Sequence, residues 1–211
     1  MSDRAPRWIV TGPAGAGKSL LAGWLAGLGA AVLDGDALGH EILRRPGIAA
    51  AVAGRFGAAC APGGVVDRRE LGSLVFADAA ALADLNAVVH PPLAALMRER
   101  LEAAAAGGAP LAVLEAAVYF LLPCPVPADL TVAVVASPAL RRRRLVAGGL
   151  SAVDADRRLA AQADWDDLWS RADVLLANEG TPAELRRLAR ERLAPHWPPG
   201  LVDSGGPEDA S

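Results

Sequence analysis

Between an apolar run and an amphipathic one lies Gly12-Pro13-Ala14-Gly15-Ala16-Gly17-Lys18-Ser19, which satisfies G-x-x-x-x-G-K-[ST]. The residues before it, Trp8-Ile9-Val10-Thr11, read as a buried strand. After it, Leu20, Leu21, Trp24, Leu25 and Leu28 recur at helical spacing. Strand, glycine loop and helix in that order are the context a phosphate cradle requires. The glycines let successive backbone N–H groups point into one concavity, and the following helix adds its positive end there. In such a cradle the Lys18 ammonium reaches the β- and γ-phosphates of a nucleoside triphosphate, and the Ser19 hydroxyl ligates Mg²⁺. ATP is therefore expected along Gly12, Pro13, Ala14, Gly15, Ala16, Gly17, Lys18 and Ser19, with Mg²⁺ on Ser19.

Composition sharpens the point. The chain of 211 residues has 20 arginines, 47 alanines and one lysine, Lys18. Arginine replaces lysine freely on a surface, but not where a compact ammonium on a flexible stem is needed. The same scarcity removes other triphosphate-binding classes. A guanine-reading N-K-x-D segment has no lysine to use, and no LSGGQ-like signature is present. Small-molecule kinases remain.

The bulk properties set the frame. The length predicts one domain, with 53% apolar and 21% charged residues. A net charge of −3 gives no support to a nucleic-acid partner. The apolar stretch Leu111 to Leu122 contains Glu115 and falls short of the roughly 20 residues of a spanning helix, so no membrane is expected. MSDRAPRWIV carries no hydrophobic signal segment, which predicts a cytoplasmic protein. Cys60 and Cys124 match no metal or redox spacing and are read as reduced and incidental.

A second motif follows. Gly29 to Leu33 reads as a strand and ends in Asp34-Gly35-Asp36. Carboxylates at the carboxyl end of a strand in an open parallel sheet sit where ligands bind. One of them can accept the proton of an acceptor hydroxyl. Asp36 is equally suited to cap the next helix, Ala37 to Leu43, and the two jobs are compatible.

These residues, with others downstream, resemble the dephospho-CoA kinase family. Thr11-Gly12-x-x-Gly15-x-Gly17-Lys18-Ser19 is followed by Asp34-Gly35-Asp36 and Pro46-Gly47. Next come Leu85-Asn86-x-x-x-His90-Pro91, the segment from Ser151 to Gln162 similar to a lid helix ending R-x-x-x-Q, and Ala172-Asp173-Val174-Leu175-Leu176-Ala177-Asn178-Glu179-Gly180. The resemblance is collinear from about Trp8 to Leu193. It implies ATP-dependent phosphorylation of the ribose 3′-hydroxyl of dephospho-coenzyme A, the last step of coenzyme A synthesis. It also implies Asp36 as general base, Asp34 as an orienting or magnesium-water partner, and His90 near the acceptor. His40 stands where many members have arginine. A basic, partly apolar groove near His40, Arg44, Arg45 and His90 would suit the acceptor, and Asn178 falls to the ATP side.

The chain departs from the family pattern at three places. A glutamate position holds Leu121, the lid arginine position falls in Ala147-Gly148-Gly149, and a lysine position holds Leu168. Arg143, Arg144 and Arg158 are the candidates to replace the lid arginine, Arg144 on ATP and Arg158 toward the acceptor. A run of four arginines, Arg141 to Arg144, is by default a solvated helix face.

The expected fold is α/β, a P-loop kinase fold: a five-stranded parallel sheet with helices on both faces, an acceptor-binding helical insertion and a lid. The remaining strands are Leu111 to Glu115, Leu130 to Ala136 and Val174 to Ala177. Asp67-x-x-Glu70, Ser151-x-x-Asp154 and Thr181-Pro182-x-Glu184 mark helix starts. The kinase domain is expected over 1–194, with the acceptor region at about 46–106 and the lid at about 141–164. His90 before Pro91-Pro92 also reads as a helix start. Trp165 and Trp169, at i and i+4, read as core packing in preference to nucleotide stacking. Residues 195–211 are rich in proline, glycine and acid and read as a disordered tail. A monomer acting on a small molecule is expected. Two alternatives stay open: another small-molecule or nucleotide kinase of this fold, and a degenerate nucleotide-binding paralogue with a regulatory role.

Overall fold

The protein was analysed as a computed structural model, which describes residues 4–75, 78–124 and 126–202. In chain order its elements are β1 (Arg7–Thr11), α1 (Lys18–Gly27), β2 (Ala31–Asp34), α2 (Gly35–Leu43), α3 (Pro46–Phe56), α4 (Arg68–Val75), α5 (Ala79–Ala106) and β3 (Ala112–Glu115). They continue with β4 (Leu130–Val135), α6 (Pro138–Ala147), α7 (Ala152–Ala160), α8 (Asp166–Trp169), β5 (Val174–Ala177) and α9 (Pro182–Leu193). The strands form one five-stranded parallel sheet in the order β2-β3-β1-β4-β5. All five expected strands are present, and β1, which feeds the glycine loop, lies at the centre.

The chain divides into two compact units: residues 1–33, 100–120 and 127–211, and residues 34–99 with 121–126. In the first, both faces of the central strands are buried, as a parallel sheet demands. On one face Trp8, Val10, Leu111, Val113, Val132, Val134 and Leu176 pack with Leu21 and Leu25 of α1 and Leu185, Ala189 and Leu193 of α9. On the other, Ile9, Ala112, Leu114 and Ala133 are fully buried. There Arg7 is fixed by Glu102 of α5 and by Asp129, whose carboxylate it holds below the usual range, first through their side-chain hydrogen bond.

The three helix starts read from the sequence are formed. The Asp67 side chain accepts from the N–H groups of Arg69 and Glu70 at 2.9 and 3.0 Å. Ser151 caps α7, and Thr181 with Glu184 makes a reciprocal capping box on α9. Trp165 and Trp169 meet edge to face with centroids 6.2 Å apart, and Trp169 is buried.

The second unit is helical. Its core joins Ala49 and Val52 of α3, Cys60, Ala61 and Val66 of the segment between α3 and α4, Leu71 and Val75 of α4, and Ala81 of α5. Cys60 and Cys124 are free thiols, the first buried and the second exposed.

Three expectations need correction. His90 does not start a helix: α5 runs through Pro91 and Pro92 for 28 residues. By length and composition this helix would suffice to cross a bilayer. Its Leu93, Ala94, Leu96, Met97, Leu101 and Ala105 are instead buried within the protein. The tail does not begin at 195. Trp197 packs against Trp8 and Trp24 at centroid distances of 6.4 and 5.7 Å, and Leu201 is buried in the sheet core. Two large apolar side chains in a Pro/Gly-rich stretch are enough to dock it, which average composition conceals. Residues 203–211 lie outside the described residues. The third correction concerns the arginine run, described below.

Candidate functional site

The loop after β1 can turn back on itself only because of its glycines. Gly12, Gly15 and Gly17 have φ of 131°, 76° and 112°, which L side chains rarely adopt. A Cβ on Gly15 would also lie 2.8 Å from the Arg141 carbonyl oxygen, so the loop and α6 are in close contact there. Gly17 is the N-cap of α1, and no side chain caps that helix. Its first amide groups are thus left to whatever anion occupies the loop.

Beside the loop lies a cavity of about 320 Å³ lined by Gly15, Gly17, Lys18, Ser19, Leu20, Arg144, Asn178, Gly180 and Pro182. The structure thus brings together Lys18, Ser19, Arg144 and Asn178, four of the residues assigned to ATP. The Lys18 ammonium donates to the Pro13 carbonyl at 3.2 Å, held back over its own loop. The Ser19 hydroxyl donates to Glu115 Oε1 at 2.7 Å, so a carboxylate at the end of β3 stands beside the hydroxyl.

The arginine run is not a solvated face. Arg142 and Arg143 are exposed, and Arg142 pairs with Asp156 of α7 at 2.6 Å. Arg141 and Arg144, three residues apart on α6, turn inward. Arg144 donates to the Asn178 carbonyl at 3.0 Å, the Gly180 carbonyl at 2.8 Å and Asn178 Oδ1 at 3.3 Å. Asn178 is itself buried and donates to the Ala16 carbonyl at 2.7 Å. Adjacent helix residues cannot share a face, but residues i and i+3 can, and that spacing decides which two arginines meet the loop.

Gly12, Pro13, Ala14 and Ala16 do not line the cavity. Ala14 is turned away from it: its N–H donates to Gln162 Oε1 at 2.9 Å, and its carbonyl accepts from Arg141 Nε at 2.9 Å. Arg158 is exposed on α7 and likewise does not line it.

In the second unit the two carboxylates of the acidic pair differ in their contacts. Asp34, not Asp36, is the N-cap of α2. Its Oδ1 accepts from the N–H groups of Asp36 and Ala37 at 2.8 and 3.2 Å. Asp36 sits in the first helical turn with its side chain exposed. His40 lies half-buried in the last turn of the same helix. His90 is buried within α5. Desolvation pushes its imidazole below the ordinary value, and a hydrogen bond to the backbone of Leu121 opposes the shift.

Sequence reasoning did not assign roles to Arg141, Gln162 or Glu179. Glu179 accepts from the Ser137 N–H at 2.6 Å and from its hydroxyl at 2.8 Å, capping α6 from outside the helix. The R-x-x-x-Q spacing pointed at Gln162, and the i, i+3 arginine spacing at Arg141. No comparable signal marks Glu179.

Known proteins resemble the chain along nearly its full length. The sequence model of the family described as "Dephospho-CoA kinase" matches residues 8–184. A protein of that name from Geobacter sulfurreducens is 36% identical over 193 residues, covering 90% of this chain and 98% of its own. One from Anaeromyxobacter dehalogenans is 38% identical over 189 residues, 88% of this chain and 89% of its own. Among solved structures, TT1252 from Thermus thermophilus superposes with a TM-score of 0.71 at 34% identity, covering 90% of this chain and 97% of the other.

Proposed function

The chain belongs to the dephospho-CoA kinase family, and from that premise we propose that it transfers the γ-phosphoryl group of ATP to the ribose 3′-hydroxyl of dephospho-coenzyme A, giving coenzyme A and ADP. The observation that carries this reading is the cavity on which Lys18, Ser19, Arg144 and Asn178 converge beside a helix N-terminus with no side-chain cap.

On this reading the amides at the start of α1 bind phosphate oxygens, and Lys18 swings from the Pro13 carbonyl to the β- and γ-phosphates. Arg144 is fixed by the carbonyls of Asn178 and Gly180 at the cavity wall, where its positive charge serves the absent lid arginine's electrostatic role. Asp36 accepts the 3′-hydroxyl proton as the oxygen–phosphorus bond forms and the bond to the β-phosphate oxygen breaks. Because Asp34 performs the capping, the Asp36 carboxylate is left for that task. His40, His90 and Arg158 serve the acceptor, with Asp34 orienting the helix that bears Asp36.

The residues present also fit a magnesium ion. Ser19 Oγ and the Glu115 carboxylate are hard oxygen donors 2.7 Å apart, the type this cation takes. Ser19 would hold the ion with Glu115 beside it, and bound magnesium would screen the charge of the phosphates. The proposal carries with it a cytoplasmic, monomeric enzyme acting on a small molecule, without nucleic acid or membrane, in keeping with the net charge of −3.

A coupled ADP-release assay with dephospho-CoA, AMP and shikimate as acceptors tests the proposal. Turnover with dephospho-CoA alone is expected. Turnover with either control in its place would move the chain to another small-molecule kinase activity, and nucleotide binding with no turnover would make it a non-catalytic relative.

A further inference from the structure

Two side chains at the opposite bases of the α6–α7 hairpin converge on one residue of the phosphate loop. Arg141 precedes the hairpin segment 142–161 and Gln162 follows it. Both are buried, with 4% and 9% of their surface exposed. Arg141 Nε donates to the Ala14 carbonyl at 2.9 Å, and its Nη2 donates to Gln162 Oε1 at 3.0 Å. The same Gln162 oxygen accepts from the Ala14 N–H at 2.9 Å. The three residues close a ring of hydrogen bonds. Both backbone polar groups of Ala14, one from each peptide flanking its Cα, are bonded to side chains that do not line the cavity, so the backbone at Ala14 is held away from it.

The hairpin is itself stiffened between these bases. Arg142 makes a two-pronged pair with Asp156 at 2.6 and 3.0 Å, joining α6 to α7. The loop, in turn, meets α6 directly at Gly15. A glycine-rich loop loses more backbone freedom on ordering than any other sequence, so fixing one of its peptides in advance lowers the cost of closing it on phosphate.

We propose that Arg141 and Gln162 are positioning residues that lock the Ala14 peptide outward. The inner amides thereby stay turned to the cavity, and the hairpin 142–161 is tied to the state of the phosphate loop. This rests on the assignment of the loop to ATP and goes beyond the reaction itself: neither residue touches a reacting atom, and each acts through Ala14.

The test uses Gln162→Met, which keeps the length of the side chain and removes the acceptor. ATP affinity is measured by calorimetry, together with amide exchange at Ala14, thermal stability and the KM values for ATP and for dephospho-CoA. Both hydrogen bonds accepted by Gln162 Oε1 are lost, and the expected result is about a tenfold weaker ATP affinity, of the size of one hydrogen bond of typical strength. KM for ATP rises in step, KM for dephospho-CoA does not change, and Ala14 exchanges faster than in the parent. ATP also ceases to protect the turn at Gly148-Gly149 from proteolysis. Gln162→Glu restores the acceptor and returns ATP affinity to within about threefold of the parent. Arg141→Lys keeps the charge but gives up the fork, and it shows the same pattern should Gln162→Met fail to fold.

Unchanged ATP affinity in a folded Gln162→Met protein would overturn the proposal. So would equal losses in Gln162→Met and Gln162→Glu, or a parallel rise of both KM values. Calorimetry needs no turnover, so a parent protein that binds ATP but does not phosphorylate dephospho-CoA would refute the proposed reaction while still deciding this inference.

Discussion

Lys18 is the one lysine of the chain, and its surroundings explain why arginine does not stand there. Its ammonium reaches back to the Pro13 carbonyl at 3.2 Å, and a compact ammonium on a flexible stem is not replaced by a planar fork. Lys18→Arg should therefore lower kcat/KM by about a hundredfold or more although the charge is kept, as judged by steady-state kinetics. Asp36 gives the complementary case. Its neighbour Asp34 supplies the cap, so Asp36→Asn leaves α2 formed and removes only the carboxylate proposed as proton acceptor. Transfer should fall by about two to four orders of magnitude with ATP affinity nearly unchanged. Undiminished turnover would remove Asp36 from its role. The sequence made Asp34 and Asp36 legible as a pair of acids but could not say which of them caps α2. Either carboxylate suits a helix start, and only the geometry shows that Asp34 Oδ1 takes the two amides.

At the scale of elements, strands were the most legible feature. Leu130 to Val135 and Val174 to Ala177 are apolar runs long enough for one buried strand and too short for a helix turn sequence of their own. Helix α5 shows where local rules fail. Pro91 and Pro92 lack the N–H groups that would bond the carbonyls of Ala87 and Val88, at a cost of about 3 kcal/mol for an interior proline. Leu93, Leu96, Met97 and Leu101 are each nearly or wholly buried, and such side chains contribute about 1.5–3 kcal/mol apiece, so packing outweighs the break. That helix also carries His90, whose burial has a consequence for acid stability. Its imidazole titrates below the ordinary value when folded and at about 6.5 when unfolded. Between those values the unfolded chain holds more protons, so stability is full above about pH 6.5 and declines as pH falls toward the folded value. His90→Gln, which keeps a donor for the Leu121 backbone, should flatten that decline in denaturant titrations at pH 7.5 and 5.5. Parallel losses in parent and variant would contradict it. The arginine run is a partial case: its i, i+3 spacing singles out Arg141 and Arg144 as a pair that can share a face, but that this face meets the loop depends on where α6 lies.

Across the whole molecule, the central strand, glycine loop and first helix were fully legible, because steric needs at Gly12, Gly15 and Gly17 leave little alternative. The division into two units was legible only as a helical stretch too long for one crossover. The docking of Trp197 and Leu201 was not, since it depends on a groove assembled from β1 and α1, remote in sequence. On the proposed reading Arg144 stands in for the arginine that Ala147-Gly148-Gly149 lacks, while nothing among the described residues replaces the carboxylate at Leu121. Arg144 lies at the cavity wall, anchored by the carbonyls of Asn178 and Gly180. The protein incubated with ATP and dephospho-CoA, with the product resolved by phosphorus NMR, gives the most direct test. A new phosphomonoester at the ribose 3′ position, formed in step with ADP, is the predicted result; phosphate at any other position, or ADP formed with no phosphorylated acceptor, would contradict it.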